Sequence, residues 1–75
     1  MRKPEIFEKG MPVRVRCAAG DMRDNLVWED YGAVVMVCAT DQFERLKGGY
    51  PAPMPIGFRR EDVQPLAVAR AAAPA

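Results

Sequence analysis

Hydrophobic and polar residues alternate strictly in the segment VRVRC at residues 13–17. Such alternation is typical of a β-strand with one buried face, because successive side chains of a strand point to opposite faces of a sheet. The pattern predicts a strand in which the two valines and Cys17 face a core. Arg14 and Arg16 then share the opposite, solvent-exposed face.

A second segment, AVVMVCA at residues 33–39, is apolar on both faces. It is too short and too rich in β-branched residues for a helix, so it predicts a central strand covered on both sides, either by the sheet closing over itself or by a partner subunit. Residues 18–24 are expected to form a loop, and residues 25–28 to be extended. A turn or bulge is expected at residues 29–32, where Gly32 relieves the backbone.

Residues 40–49 allow two interpretations. Asp41 and Glu44 have the spacing of a helical capping box, Phe43 and Leu46 then share one helical face, and the glycines at 48–49 end the helix. The alternative is a strand that turns at Lys47 into a hairpin. We favour a short helical turn.

The C-terminal half carries prolines at alternate positions in residues 50–56, which predicts an edge strand or an extended, polyproline-like segment. A tight turn is expected at residues 59–62 and a short closing strand at residues 63–66. These patterns predict three parts of the chain: an N-terminal arm (1–9) that can pair briefly through Ile6 and Phe7, one folded domain (10–66) and a flexible, alanine-rich tail (67–75).

The chain is short, with 75 residues, and its core is expected to be marginal. It has two cysteines without CxxC spacing and no histidine, so no metal site is predicted and the thiols are expected to be free and reduced. Domains of this size often gain stability from a partner subunit, which predicts a homo-oligomer.

Charge and hydropathy narrow the possible partners. The chain has eleven Lys and Arg residues and ten Asp and Glu residues, for a net charge of +1. The basic excess of a dedicated double-stranded DNA binder is therefore missing. Residues 1–10 contain no apolar signal-peptide region, and no run approaches the roughly 18 apolar residues of a membrane span. We expect a cytoplasmic protein with no membrane partner.

Three motifs carry a family resemblance: KGMPVRVR at residues 9–16, YGAVVMV at 31–37 and FRREDVQPL at 58–66. In this order they resemble the SH3-like small β-barrels, which include KOW-type and Tudor-type modules and many stand-alone bacterial and mobile-element proteins. The resemblance implies a mainly β fold over residues 10–66: a small SH3-like barrel of about five short strands with one short helical turn. Such barrels host unrelated activities, so the fold alone implies no function.

An enzymatic function is weakly supported. The plasmid-encoded type II dihydrofolate reductases look similar in the first two strands, but their Val-Gln-Ile-Tyr signature is Val63-Gln64-Pro65-Leu66 here. The missing isoleucine and tyrosine argue against reductase activity, although an oligomeric subunit of that kind stays a third hypothesis. The chain has no histidine and no serine, which excludes Ser/His and Cys/His nucleophilic catalysis, and no cofactor is predicted.

The aromatic residues suggest a ligand groove. Trp28, Tyr31, Tyr50 and Phe58 come from segments that flank the groove-forming loops of SH3-like barrels. Aromatic rings there can stack on proline-rich peptides, bases or methylated cations. The alternative is that Trp28 and Phe58 fill the core while the tyrosines cover its ends. The first hypothesis is therefore a binding module that recognises a protein partner through these four residues.

The arginines suggest an alternative partner, RNA or single-stranded nucleic acid. Arg14 and Arg16 share a strand face, and Arg59 and Arg60 lie in a turn expected to abut that strand. Four arginines on one side can hold phosphates even when the net charge is small. The competing interpretation pairs them with neighbouring carboxylates.

Overall fold

The computed structural model describes residues 6–67, which fold as one five-stranded antiparallel sheet and one α-helix that packs against it. In chain order the elements are β1 (Pro12–Arg16), β2 (Met22–Asp30), β3 (Val34–Cys38), α1 (Thr40–Lys47), β4 (Ile56–Arg59), a 3-10 turn (Arg60–Asp62) and β5 (Val63–Pro65). The strands lie in the order β4-β3-β2-β1-β5. The predicted mainly β fold of about five short strands is confirmed. Most of the predicted arm and nearly all of the tail lie outside the described residues.

The core lies on one face of the sheet and consists mainly of valine. The alternation predicted for β1 is confirmed, because Val13 and Val15 are fully buried while Arg16 is exposed. Fully burying a valine stabilises a fold by roughly 1.5–3 kcal/mol. A few such side chains therefore supply much of the stability of a domain of this size. The fully buried side chains are Val13, Val15, Val27, Val35 and Val37.

Phe7, which falls in the predicted N-terminal arm, belongs to this core. Its side chain is 4% exposed and packs in the same cluster as Val63. The Phe7 N–H donates to a carboxylate oxygen of Asp30 at 3.3 Å. The segment before Gly10 therefore packs on the sheet, which the strand pattern did not indicate.

Strand β2 is longer than its sequence pattern indicates. The loop predicted over residues 18–24 is wrong for its last three residues, because β2 begins at Met22 and pairs with β1, Arg14 lying opposite Asp24. Polar residues occupy both faces there, so the sequence shows no period-two signal, and the pairing with β1 decides the conformation. The bulge lies between Val27 and Glu29, earlier than predicted.

Helix α1 confirms the predicted helical turn but not its cap. The capping box at Asp41 is wrong: helical geometry begins at Thr40, the N-cap residue is Ala39, and no side chain caps the helix. The helix is held by Phe43, which is buried and meets the Trp28 ring edge to face at 5.7 Å between centroids. Packing rather than capping therefore fixes its position.

The edge strand predicted over residues 50–56 is wrong except at Ile56, because the strand at this edge of the sheet, β4, runs from Ile56 to Arg59. Residues 51–55 adopt no regular secondary structure. Although β3 and β2 separate β4 from β1 in the sheet, β4 and the end of β1 line one cleft. The sheet is therefore strongly curled, and this curl creates the cavities described next.

Candidate functional site

The structure partly covers Trp28, one of the four aromatic residues proposed for a ligand groove. Its ring is half-buried, and the ammonium of Lys9 lies 4.1 Å from the ring centroid. Lys9 also pairs with Glu29 at 3.4 Å. A cation–π contact of this kind stabilises by about 0.5–1 kcal/mol at exposed sites. Together with Phe43 at its edge, Trp28 already has neighbours from its own chain.

The four aromatic residues have different surroundings. Phe58 is half-buried and packs against the core. Tyr31, in the turn between β2 and β3, is 70% exposed, and Tyr50, which follows α1, is 68% exposed. Within residues 6–67 no ring contact joins two of these four side chains. Each aromatic residue therefore has to be assessed by its own surroundings.

Two of the four candidate arginines, Arg14 and Arg60, form ion pairs shorter than 3 Å. Arg14 pairs with Asp24 at 2.8 Å between Nε and Oδ1. Arg60 donates from Nη1 to Oδ1 of Asp30 at 2.7 Å and to the carbonyl oxygen of Gly32 at 3.0 Å. These interactions reduce the positive charge that Arg14 and Arg60 offer to an external phosphate.

The other two arginines line a single cleft, which we call the edge cleft. It has a volume of about 470 Å³ and lies between β4 and the end of β1. Arg59 pairs with Glu61 and Asp62 at 3.3 and 3.5 Å on the exposed surface. Arg16 has no ion pair or side-chain hydrogen bond within the described part of the chain. The residues that line the cleft are Arg16, Cys17, Ala18, Gly57, Phe58, Arg59 and Asp62.

A second cavity, which we call the apolar groove, opens beside the turn between β2 and β3. Its volume is about 630 Å³. Core residues Phe7 and Val63 form its floor, Ala33 and Val34 form one wall, and Arg59, Arg60 and Glu61 of the 3-10 turn region lie at its rim. An open groove with an apolar floor and a few polar groups at its rim is suited to the apolar side chains of a ligand.

One carboxylate, that of Asp30, ties together the segments that line the apolar groove. It accepts hydrogen bonds from the N–H of Gly32 at 2.8 Å, from Arg60 and from the N–H of Phe7. Burial acts to raise the pKa of Asp30, but these hydrogen bonds and the charge of Arg60 outweigh it and hold that pKa below its ordinary value. The carboxylate is therefore charged at neutral pH and keeps the walls of the groove in place.

Sequence reasoning missed the residues that build the apolar groove. Phe7 and Asp30 lie far apart in the chain and were assigned to an arm and to a turn, and Ala33 and Val34 were assigned to a central strand covered on both faces. Val34 is in fact 39% exposed. The apolar pair at residues 6–7, which stands alone in an otherwise charged segment, indicated brief pairing of the arm but not that Phe7 belongs to the core.

The described residues contain no candidate metal site and no candidate membrane-spanning helix. Between residues 6 and 67, histidine, cysteine, aspartate and glutamate side chains form no group of three or more that could hold a metal ion. None of the helices in that range has the length and apolar character to cross a bilayer.

No protein-family model matches the chain, and no curated protein and no solved structure is significantly similar to it.

Proposed function

We propose that this protein is a small, non-catalytic binding module that recognises a partner protein by accommodating apolar side chains of the partner in the apolar groove. We also propose that its curled sheet is an SH3-like barrel, which is supported by the pairing of the last strand, β5, with the first, β1. The observation that carries the function is the groove itself, because it opens onto core residues Phe7 and Val63.

The energetics of the apolar groove favour a protein ligand. Removing apolar surface from water stabilises a complex by roughly 25 cal/mol per Å², and well-packed apolar anchors dominate most protein interfaces. The hydrogen bonds to Asp30 hold the groove in place before binding, so its residues lose little conformational entropy on association. Tyr31, which is 70% exposed in the turn between β2 and β3, adds to the surface that a partner can contact.

Nucleic acid is less well supported as the partner. Three of the four candidate arginines, Arg14, Arg59 and Arg60, lie within 3.5 Å of a carboxylate oxygen. The net charge of +1 supplies little general attraction for phosphates. An apolar groove also lacks the stacked aromatic platform that single-stranded nucleic acids require.

Selection of peptides from a random displayed library tests the proposal. Enriched peptides should share a large apolar residue, and Ala33→Trp, which fills the groove from its wall, should weaken their binding by at least about tenfold, or roughly 1.4 kcal/mol. Ala19→Trp is the matched control, because Ala19 is exposed in the turn between β1 and β2, away from the groove.

Titration calorimetry of the enriched peptides against both variants separates the outcomes. Loss of binding in Ala33→Trp with retention in Ala19→Trp supports the proposal. Equal affinity of the two variants, or the absence of any enriched peptide, contradicts it.

A further inference from the structure

We infer that residues 6–9 form a strap that opens and closes on the sheet as a unit, and that its closure completes the apolar groove. Binding of a partner in the groove and closure of the strap are then coupled, so the strap regulates the site. This regulation rests on the proposed function, because the groove is the binding site that the strap controls.

The backbone of the strap is attached to the sheet by few hydrogen bonds. Residues 6–8 have no regular secondary structure, and within the described part of the chain no backbone–backbone hydrogen bond joins residues 6–9 to a strand. The Phe7 N–H donates instead to the side chain of Asp30, at 3.3 Å. The first backbone bond to the sheet runs from the Gly10 N–H to the carbonyl oxygen of Val27, at 2.8 Å. The strap can therefore detach without breaking the hydrogen bonds between any two strands.

One buried side chain holds most of the strap in place. Phe7 is 4% exposed, whereas Ile6 is 76% exposed. The side chain of Lys9 is half exposed and contacts the Trp28 ring and the Glu29 carboxylate at the surface. The burial of one aromatic side chain is opposed by the conformational entropy that four ordered residues lose. Opening of the strap should therefore require less free energy than unfolding of the sheet.

Gly10 provides the turn between the strap and β1. Its φ is +87°, in the left-handed region that favours glycine. Its N–H is bonded to β2, whereas the residues before it are held by side chains. Gly10 is therefore the point about which the strap can move while the sheet stays intact.

Phe7 links the strap to the apolar groove, because its ring forms part of the groove floor. The guanidinium carbon of Arg60, at the groove rim, lies 5.0 Å from the centroid of that ring. Opening of the strap removes both the floor and this contact, so an apolar side chain that packs on Phe7 fits only the closed form. By reciprocity, such a side chain favours closure of the strap by the same factor.

Amide hydrogen exchange, followed by NMR in the intact protein, measures the opening of the strap. The Val15 amide is the internal reference, because Val15 is fully buried in β1, which has a neighbouring strand on each side. We expect the Phe7 amide to exchange through an opening at least about tenfold more populated than that of Val15. The opening at Phe7 should also depend less on added urea, because it exposes less surface.

Lys9→Ala distinguishes a strap that opens as a unit from a local fluctuation of the Phe7 amide. Removal of the Lys9 side chain should raise the opening constant of the Phe7 amide about fivefold and leave that of Val15 unchanged. Arg23→Ala is the matched control, because Arg23 also forms an exposed ion pair, at 3.3 Å to Asp21, but lies in β2 away from the strap. It should leave the Phe7 amide unchanged.

Ala33→Trp tests the coupling to the groove without an added ligand. The indole ring enters the groove from its wall and takes the place of a partner side chain on Phe7. We expect the opening constant of the Phe7 amide, relative to that of Val15 in the same sample, to fall at least about fivefold. The Ala19→Trp control should show no such fall.

Four outcomes would overturn the inference. The first is an equal opening constant and urea dependence for the Phe7 and Val15 amides. The others are an unchanged Phe7 amide in Lys9→Ala, an equally large response in Arg23→Ala, and an unchanged Phe7 amide in Ala33→Trp. A peptide selection that enriches nothing would instead contradict the proposed function, because the exchange measurements use no ligand.

Discussion

At the scale of single residues, Asp30 is the polar side chain on which the fold depends most. It joins Phe7, Gly32 and Arg60, which come from three separate segments. Its side chain is 18% exposed and that of Arg60 is 27% exposed, so solvent screens this ion pair less than the other pairs on the surface. Loss of the carboxylate would leave a partly buried guanidinium without its counter-ion.

We predict that Asp30→Asn lowers the free energy of unfolding by about 1–2 kcal/mol at neutral pH, because charge-assisted hydrogen bonds are lost. Since the folded-state pKa of Asp30 is below its ordinary value, this contribution is present above pH about 4 and is lost as the pH falls through the lower, folded-state pKa. Urea denaturation at neutral and acidic pH should therefore show the two proteins converging in acid.

The control for this prediction is Asp24→Asn. Asp24 also pairs with an arginine, Arg14, but its side chain is 48% exposed. We expect a smaller loss of stability than for Asp30→Asn. An equal loss would show that the position of Asp30 among three segments has no special importance.

The two thiols should differ in reactivity. They are not joined, in agreement with the prediction of free cysteines. Cys38 is buried, and burial together with the nearby charge of Asp41 raises the pKa of its thiol, whereas Cys17 is half-buried and lines the edge cleft. Because the thiolate is the reactive form, iodoacetamide should modify Cys17 first in the native protein. Peptide mass mapping that found Cys38 modified first would contradict this.

At the scale of elements, α1 shows how packing replaces a missing local signal. Ala39 has the extended backbone of an N-cap residue, with φ −69° and ψ 159°, but offers no side-chain acceptor. The helix nevertheless forms, because Phe43 is buried on the sheet beside Trp28. Its cap can therefore be improved without any change to its packing.

We predict that Ala39→Ser stabilises the protein by about 1 kcal/mol, since a serine hydroxyl at an N-cap accepts a hydrogen bond from the first turn. Thermal unfolding followed by circular dichroism measures the effect. Ala19→Ser, in an exposed turn outside the helix, is the control and should leave the melting temperature nearly unchanged. An Ala39→Ser protein no more stable than this control would argue against Ala39 as the cap position.

At the scale of the whole molecule, exposed apolar side chains favour self-association or binding to another protein. Several lie along β4 and the segments next to it, namely Tyr31, Val34, Tyr50, Met54 and Ile56. Larger exposed apolar patches mark interaction sites in soluble proteins. The homo-oligomer expected from the small size of the chain stays a prediction, and these exposed side chains are the surface through which we expect the copies to associate.

Light scattering over a range of concentrations tests this prediction. We expect an average mass above the 8.3 kDa of one chain that rises with concentration. Ile56→Lys, on the exposed start of β4, should shift the distribution towards the monomer, and Met22→Lys, in the exposed start of β2, is the control. A constant mass of one chain at all concentrations would contradict the prediction.

What the sequence by itself determined is the existence and type of the main elements. Strand β1, the apolar strand β3 and the helical turn at α1 follow from patterns within a few neighbouring residues, because the burial of one face leaves a local period in the sequence. Tertiary structure decided which distant residues meet. Asp30 contacts Phe7 and Arg60, 23 and 30 residues away, and the curl of the sheet brings Arg16 to Arg59. No local pattern contains these pairs, because they depend on strand register and on how the sheet curls over its core.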